Sequence, residues 1–181
     1  KFDIANHLEI EEFIDSVSLE LGGLDVLINN AGALCFGREK SVDGIEKTFA
    51  LNHLAYFMLT NLLLDVIVGS GAARIINVSS SAHKVGRLNV KDAHSPRRYF
   101  GWRAYSRSKL CNVLFTYELA RRLKDTRVTS NALDPGLVAT NFLTNNGEHA
   151  HGSFIYSRYT VIDQQIITRN VDLKLHYGST A

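Results

Sequence analysis

The alternation of apolar runs along this 181-residue chain predicts an α/β fold with a doubly wound parallel sheet, and three observations carry that expectation. Asp25–Ile28, Arg74–Val78 and Val128–Leu133 are short apolar runs that read as buried strands. The two long segments between them carry apolar residues at helical spacing. Strand, helix, strand, helix, strand implies right-handed crossovers, hence parallel strands with ligand sites beyond their carboxyl ends.

Taken in order, Lys1–Ala5 resembles the end of a strand. Asn6 then caps a helix whose stripe is Ile10, Phe13, Ile14, Val17 and Leu21, and Gly22-Gly23 stops it. After the strand at Asp25–Ile28, a single long helix is expected from Ser41, with Ile45, Phe49, Tyr56, Leu59, Leu63 and Ile67 on one face, ended by Gly69-Ser-Gly71. Arg74–Val78 is the second strand, followed by a loop to about Arg103. The helix holding Tyr105 runs to Lys124, with Arg121, Arg122 and Lys124 at the end where a cation suits the helix dipole. Val128–Leu133 closes the series, and no internal repeat or linker interrupts it.

Composition narrows the function. The chain is 45% hydrophobic and 21% charged, with a formal net charge of +2. Twenty basic against eighteen acidic residues is too small an excess for a nucleic-acid face, although residues 84–103 are locally basic. Leu54–Val68, the longest apolar stretch, is broken by Thr60, Asn61 and Asp65 and is too short to span a bilayer. No signal peptide is visible, and Cys35 and Cys111 make a poor disulfide framework, so a reducing cytoplasm is expected. The chain opens on Lys1 and its only methionine is Met58, which reads as something other than a natural N-terminus.

Tyr105 and Lys109 stand four residues apart on one helix face. A phenol titrates near 10, and a neighbouring ammonium favours its phenolate, bringing it towards proton transfer at neutral pH. Composition alone produces such a spacing often enough that the pair needs context. The context lies at the strand ends: Asn29-Asn-Ala-Gly32 after the first, Ser79-Ser-Ser81 after the second, Asp134-Pro-Gly136 after the third. Asn52 shares a helical stripe with Phe49 and Tyr56, where a buried amide needs hydrogen bonds.

With Asn-Asn-Ala-Gly, the serines before Tyr-x-x-x-Lys, and Pro-Gly-x-Val-x-Thr at Pro135–Thr140, the chain resembles the short-chain dehydrogenase/reductase family from about Lys1 to Asn141. Val78-Ser-Ser-Ser-Ala-His83 and the Lys109–Leu123 segment are most similar to its retinol-dehydrogenase-like branch. The resemblance implies a partial Rossmann-type sheet over residues 1–146, lacking the first strands and the glycine-rich phosphate loop, with residues 147–181 as a substrate loop and tail. Gly69-x-Gly71 does not replace that loop, because it precedes a strand instead of joining strand to helix.

The resemblance also assigns roles. Ser80 orients a carbonyl, Tyr105 donates the proton, Lys109 lowers the tyrosine pKa and holds the nicotinamide ribose, and Asn52 holds a water in the relay behind the lysine. Ser80 is chosen by alignment to the second serine, with Ser79 as the fallback, since composition cannot separate Ser79, Ser80 and Ser81. Asn52 satisfied by a neighbouring backbone carbonyl is the plainer alternative. Asn30, Ala31 and Gly32 resemble the turn along the adenosine side, Asp3 the carboxylate at adenine, and Gly136 with Thr140 the clamp on the carboxamide.

The expected function is hydride transfer between NAD or NADP and an alcohol or carbonyl on a lipophilic small molecule, with no metal and homo-oligomerisation left open. His149-Ala-His151 lacks metal-site spacing. Two other readings stand beside it: a non-catalytic relic or binding module, supported by the missing phosphate loop, and an extended sugar-nucleotide epimerase, which shares Tyr-x-x-x-Lys. Phe100 and Trp102 line a lipophilic pocket on one reading and pack under the loop on the other. His53 and His83 carry no assigned role.

Overall fold

The computed structural model of the chain describes residues 3–18, 22–89, 99–136 and 160–161. Thr140, His149, His151 and nearly all of the expected tail at 147–181 lie outside these residues, as does part of the strand end expected at Lys1–Ala5. Asp3–Ala5 form a turn instead, with the Asn6 N–H donating to the Asp3 carbonyl at 3.0 Å. Asn6 then caps α1 (His7–Ser18), its Oδ1 accepting from the Leu8 N–H.

β1 (Val26–Asn29), β2 (Arg74–Val78) and β3 (Thr129–Asp134) pair in parallel, in spatial order β1-β2-β3. Beyond them β4 (Thr160–Val161) pairs antiparallel with Leu133 and Asp134, an element with no counterpart in the sequence expectations. The register sets Asn29 beside Asn77, and Asn77 beside Ala132, so all three parallel strands end at one edge. Asn30, Ser79 and Asp134 therefore share that edge, as the crossover argument requires.

The helix expected from Ser41 is where the structure departs from the pattern. Ser41–Ile45 forms a tight turn, with Gly44 at φ 76° and the Ser41 N–H bonded to the Ile45 carbonyl at 2.8 Å. Helix starts only at α2 (Lys47–Phe49), capped by Glu46. The Glu46 carboxylate is fully buried and accepts from the Thr48 and Phe49 N–H groups at 2.8 and 3.0 Å, neutralising the exposed donors of a helix start. A π-helical turn at Ala50–Leu54 follows, then α3 (Ala55–Leu62) and, after a break at Leu63, α4 (Leu64–Gly69). Periodicity could not foresee the π turn, since one widened turn shifts the stripe by a fraction of a residue spacing.

After β2, a short 3-10 turn at Ser81–Val85 leads towards α5 (Gly101–Arg122), which starts four residues before Tyr105. At its far end Arg121 and Arg122 both grip Glu118, at 2.8 and 2.7 Å. Ile10 and Ile14 of α1, Ala55 of α3, Leu63, Ile67 of α4, Ile75 of β2, and Leu119 and Leu123 at the end of α5 form the main core cluster. Buried residues on β2 and β3 alternate, Ile75 and Asn77 beside Ser130 and Ala132, which is the period of a strand with one covered face. On β1, Val26 and Ile28 remain 46% and 40% exposed.

Candidate active site

Tyr105 and Lys109 meet at the strand ends because α5 lies across β2 and β3 with this face inward. Tyr105 is 7% exposed and Lys109 3%. Leu34, from the loop after β1, and Ala82, from the 3-10 turn, enclose the tyrosine ring. Ser80, extended at φ −166°, caps that turn by accepting from the Ala82 N–H at 3.3 Å, and its hydroxyl is the one that bears on the Tyr105 phenol. Ser79 points elsewhere, its hydroxyl buried and donating to the Lys109 carbonyl at 2.9 Å. Ser81 is exposed. Of the three serines, the geometry brings Ser80 to the phenol.

Electrostatics here differ from the simple expectation. Burial raises the Tyr105 pKa above its ordinary value; the hydrogen bond from Ser80 opposes that rise, and the Asp134 carboxylate adds to it. The lowering expected from Lys109 does not prevail over the desolvation of the phenol, and burial also pushes the lysine's own ammonium down to about 8. Its Nζ donates to the Val78 carbonyl at 3.0 Å and lies 5.7 Å from the centroids of both the Tyr56 and Tyr105 rings. Tyr56 is 1% exposed, its pKa raised by burial, and its hydroxyl has no hydrogen-bond partner among the described residues.

Asn52 sits in the π turn, fully buried as its stripe predicts. Its side chain is committed to structure: Oδ1 accepts from the Ala33 N–H at 2.8 Å, and Nδ2 donates to the Ala33 carbonyl and to Ser108 Oγ at 2.9 and 3.1 Å. The alternative of an amide satisfied by backbone is thus met by Ala33. What Asn52 retains for other partners is its main-chain carbonyl, which accepts from Asn112 Nδ2 at 2.9 Å. Gly32 fits closely against this unit, since a Cβ there would lie 3.0 Å from Asn52 Oδ1 and 3.5 Å from Lys109 Nζ.

The remaining predicted residues are less tightly held. Asn30 and Ala31 are exposed at the edge that carries the site. Gly136, at φ 69°, turns the chain after β3 with its N–H on Asp134 Oδ1 at 3.0 Å. Asp3 spends one carboxylate oxygen on the Ala5 N–H at 2.9 Å in the turn before α1. Thr140 lies outside the described residues. The half-buried Gly32 and the exposed Asn30–Ala31 turn could lie along a dinucleotide, and among the described residues Lys109 Nζ has donors left beyond Val78 for a ribose.

Sequence reasoning missed four groups here. Asn77 and Asn112 are fully buried amides, and Ser108 a fully buried hydroxyl that donates to the Tyr105 carbonyl at 2.7 Å. Asn112 falls on the Tyr105–Lys109 face at a further step of three, which is the signal that could have found it. Tyr99 was also missed; its hydroxyl lies 2.8 Å from the Cys35 carbonyl and 3.1 Å from the buried Glu46 carboxylate.

A family model described as short chain dehydrogenase matches residues 1–151. The chain is 46% identical over 151 residues to retinol dehydrogenase 14 of Mus musculus, covering 83% of this chain and 44% of that protein. With polyprenol dehydrogenase of Homo sapiens it shares 43% over 145 residues, or 77% and 44% of the two chains. It thus spans somewhat under half the length of these curated relatives. Among solved structures, an uncharacterized protein from Mycobacterium Paratuberculosis superposes with a TM-score of 0.71 at 34% identity, over 90% of this chain and 66% of that one. Serine dehydrogenase complexed with NADP+ superposes with a TM-score of 0.61 at 27% identity, over 80% and 55%. With its parallel sheet, its clustered strand-end motifs and these matches, the chain belongs to the short-chain dehydrogenase family, on the retinol-dehydrogenase-like side of it.

Proposed function

We propose that the protein carrying this chain transfers a hydride between NAD or NADP and an alcohol or carbonyl on a lipophilic small molecule. The observation that carries the reading is the buried Tyr105 phenol, set beside Ser80 and with the buried Lys109 ammonium 5.7 Å from its ring centroid, at the carboxyl edge of a parallel sheet. A reduced nicotinamide would supply the hydride to the carbonyl carbon. Ser80 then orients the carbonyl oxygen, and the Tyr105 hydroxyl gives it a proton as negative charge develops there. Lys109 stabilises the phenolate left behind and holds a ribose hydroxyl. Asn52 contributes its carbonyl to the path that returns the proton. Alcohol oxidation reverses each step, with the phenolate as base.

Gly32, Asn30, Ala31, Gly136, Thr140 and Asp3 are assigned to the dinucleotide. Supporting this, the solved relative serine dehydrogenase is described with NADP+. The lipophilic substrate rests on the surroundings of the phenol. Trp102, 46% exposed, lies tilted at 34° with its ring centroid 5.7 Å from that of Tyr105, and Phe36, Val85, Leu88 and Phe100 are exposed on neighbouring segments. Retinol and polyprenol, named for two relatives, are alcohols of that kind. No helix among the described residues is long and apolar enough to cross a membrane. Both cysteines are free, which suits a reducing compartment such as the cytoplasm.

The second reading is a non-catalytic binding module. Its support is that no glycine-rich strand-to-helix turn occurs among these 181 residues. Absorbance of NADH and NADPH at 340 nm, followed with decanal in the full-length protein and its Tyr105→Phe variant, separates the two. Turnover in the parent that the variant lacks supports the enzyme; a parent that binds dinucleotide without turnover supports the module.

A further inference from the structure

We infer that Asn112 is a positioning residue for the Lys109 end of the site, a role that rests on the oxidoreductase reading and that Tyr-x-x-x-Lys does not include. Its carboxamide is fully buried. One face of it, Nδ2, donates to two main-chain carbonyls, Asn52 at 2.9 Å and Val78 at 3.3 Å. The Val78 carbonyl is the same oxygen that accepts from Lys109 Nζ at 3.0 Å. Asn112 thus shares the acceptor that fixes the ammonium, and it ties that acceptor, at the end of β2, to the π turn that carries Asn52.

The amide is locked in this orientation. Oδ1 lies 2.9 Å from Nδ1 of His53, so a flipped carboxamide would set an NH2 group against the imidazole and an oxygen against two carbonyl oxygens. Burial holds the His53 pKa below its ordinary value, so the ring is neutral at neutral pH, and the contact requires the tautomer with hydrogen on Nδ1. His53 follows Asn52 in the same π turn, while Asn112 lies three residues past Lys109 on α5. The pair therefore bridges the two elements that supply the proposed relay.

The chain of amides continues away from the site. Thr116 donates to the Asn112 carbonyl at 2.7 Å and accepts from Asn77 Nδ2 at 3.0 Å, and Asn77 Oδ1 accepts from Asn29 at 2.8 Å. These bonds link α5, β2 and β1 without any charge. A packed apolar core would serve stability as well or better, since buried polar groups return little net free energy. What such a network provides is a defined spacing between Lys109, Val78 and Asn52.

The test uses the full-length protein with Asn112→Leu, close in size and without hydrogen bonds, and with Asn112→Asp, which still accepts from His53 but can donate to neither carbonyl. For Asn112→Leu we expect kcat to fall between about ten- and a hundredfold, as small displacements of catalytic groups do, with KM for the dinucleotide changed less than about threefold. The pH profile of kcat should move as well, which a loss of folded protein alone would not produce. A folded Asn112→Leu protein with parental kcat and pH profile overturns the inference. If the parent turns over no alcohol or aldehyde, the oxidoreductase reading fails, and the Lys109 titration then decides, followed by NMR in protein labelled at lysine. The new carboxylate of the Asn112→Asp variant would sit within about 6 Å of Nζ, because both groups reach the same oxygen, and should raise the Lys109 pKa. An unmoved midpoint would rule the arrangement out.

Discussion

The lysine side of this site and the side proposed to receive adenosine are built on different physical terms. Around Lys109 the neighbouring polar groups other than the Tyr56 hydroxyl are buried and spoken for: Asn52, Asn112 and Ser108 are fully buried, Ser79 nearly so, and each of these four has named hydrogen-bond partners at 2.7–3.3 Å. On the other side Asn30 and Ala31 are exposed, Asp3 serves a local turn, and β1 leaves Val26 and Ile28 part-exposed at the sheet edge. Groups that move protons must hold a fixed geometry before substrate arrives, whereas a surface that receives a large ligand completes itself on binding. The first region is therefore sensitive to single atoms, and the second to what covers it.

The sharpest break of the first region is Tyr105→Phe in the full-length protein. Removing only the proton-donating hydroxyl should lower turnover by about 10²- to 10⁴-fold while dinucleotide affinity stays nearly unchanged, as saturating-cofactor kinetics and calorimetry would show. Retained turnover would end the assignment of the phenol as acid.

The 181-residue chain expressed alone tests the second region. Its uncovered β1 edge and the lack of a glycine-rich strand-to-helix turn predict weak dinucleotide binding and association through the edge strand. Micromolar binding of NADH or NADPH to a monomer in calorimetry would contradict this.

Gly32→Ala lies on the border between the regions. The added methyl would press on Asn52 Oδ1 and approach Lys109 Nζ, so a stability loss of about 1–3 kcal/mol in urea unfolding is expected, with impaired turnover. Parental stability in that variant would show that the amide yields more easily than its bonds to Ala33 and Ser108 suggest.

Lys109 should reveal itself through pH. An unfolded lysine keeps its proton up to about 10.5 and the folded one only to about 8, so the unfolded chain binds more protons in that window and stability rises as pH increases through it. Holding the charge buried at pH 7 costs on the order of 3 kcal/mol. Lys109→Met should consequently be as stable as the parent at pH 7 or more so, although inactive, and should lose the rise above pH 8. The Val78 carbonyl keeps Asn112 as a donor in that variant. A parent whose unfolding free energy is flat from pH 8 to 10 would deny the lowered pKa. The smallest effect is expected from Asn30→Ala, within about 0.5 kcal/mol in the same assay, because the side chain is exposed.

The strands and α5 were legible because their signals are local. Apolar runs such as Arg74–Val78 and the spacing of Tyr105 and Lys109 depend on residues a few positions apart, where periodicity acts. The sequence also marked Asn52 as buried, since an amide on an apolar stripe faces the core and must find its hydrogen bonds there. Only the family resemblance, not composition, singled out Ser80 over Ser79, and the sequence could not show that the stripe passes through a π turn or that helix waits for Glu46 instead of starting at Ser41. Those outcomes depend on contacts across long sequence separations, such as the 53 residues between Glu46 and Tyr99 or the 59 between His53 and Asn112. The pKa of Tyr105 belongs to the same class. Residue identity and spacing predict an ammonium four positions away, but whether that ammonium outweighs desolvation depends on how deeply α5 is pressed against β2 and β3, and only the packed structure determines that.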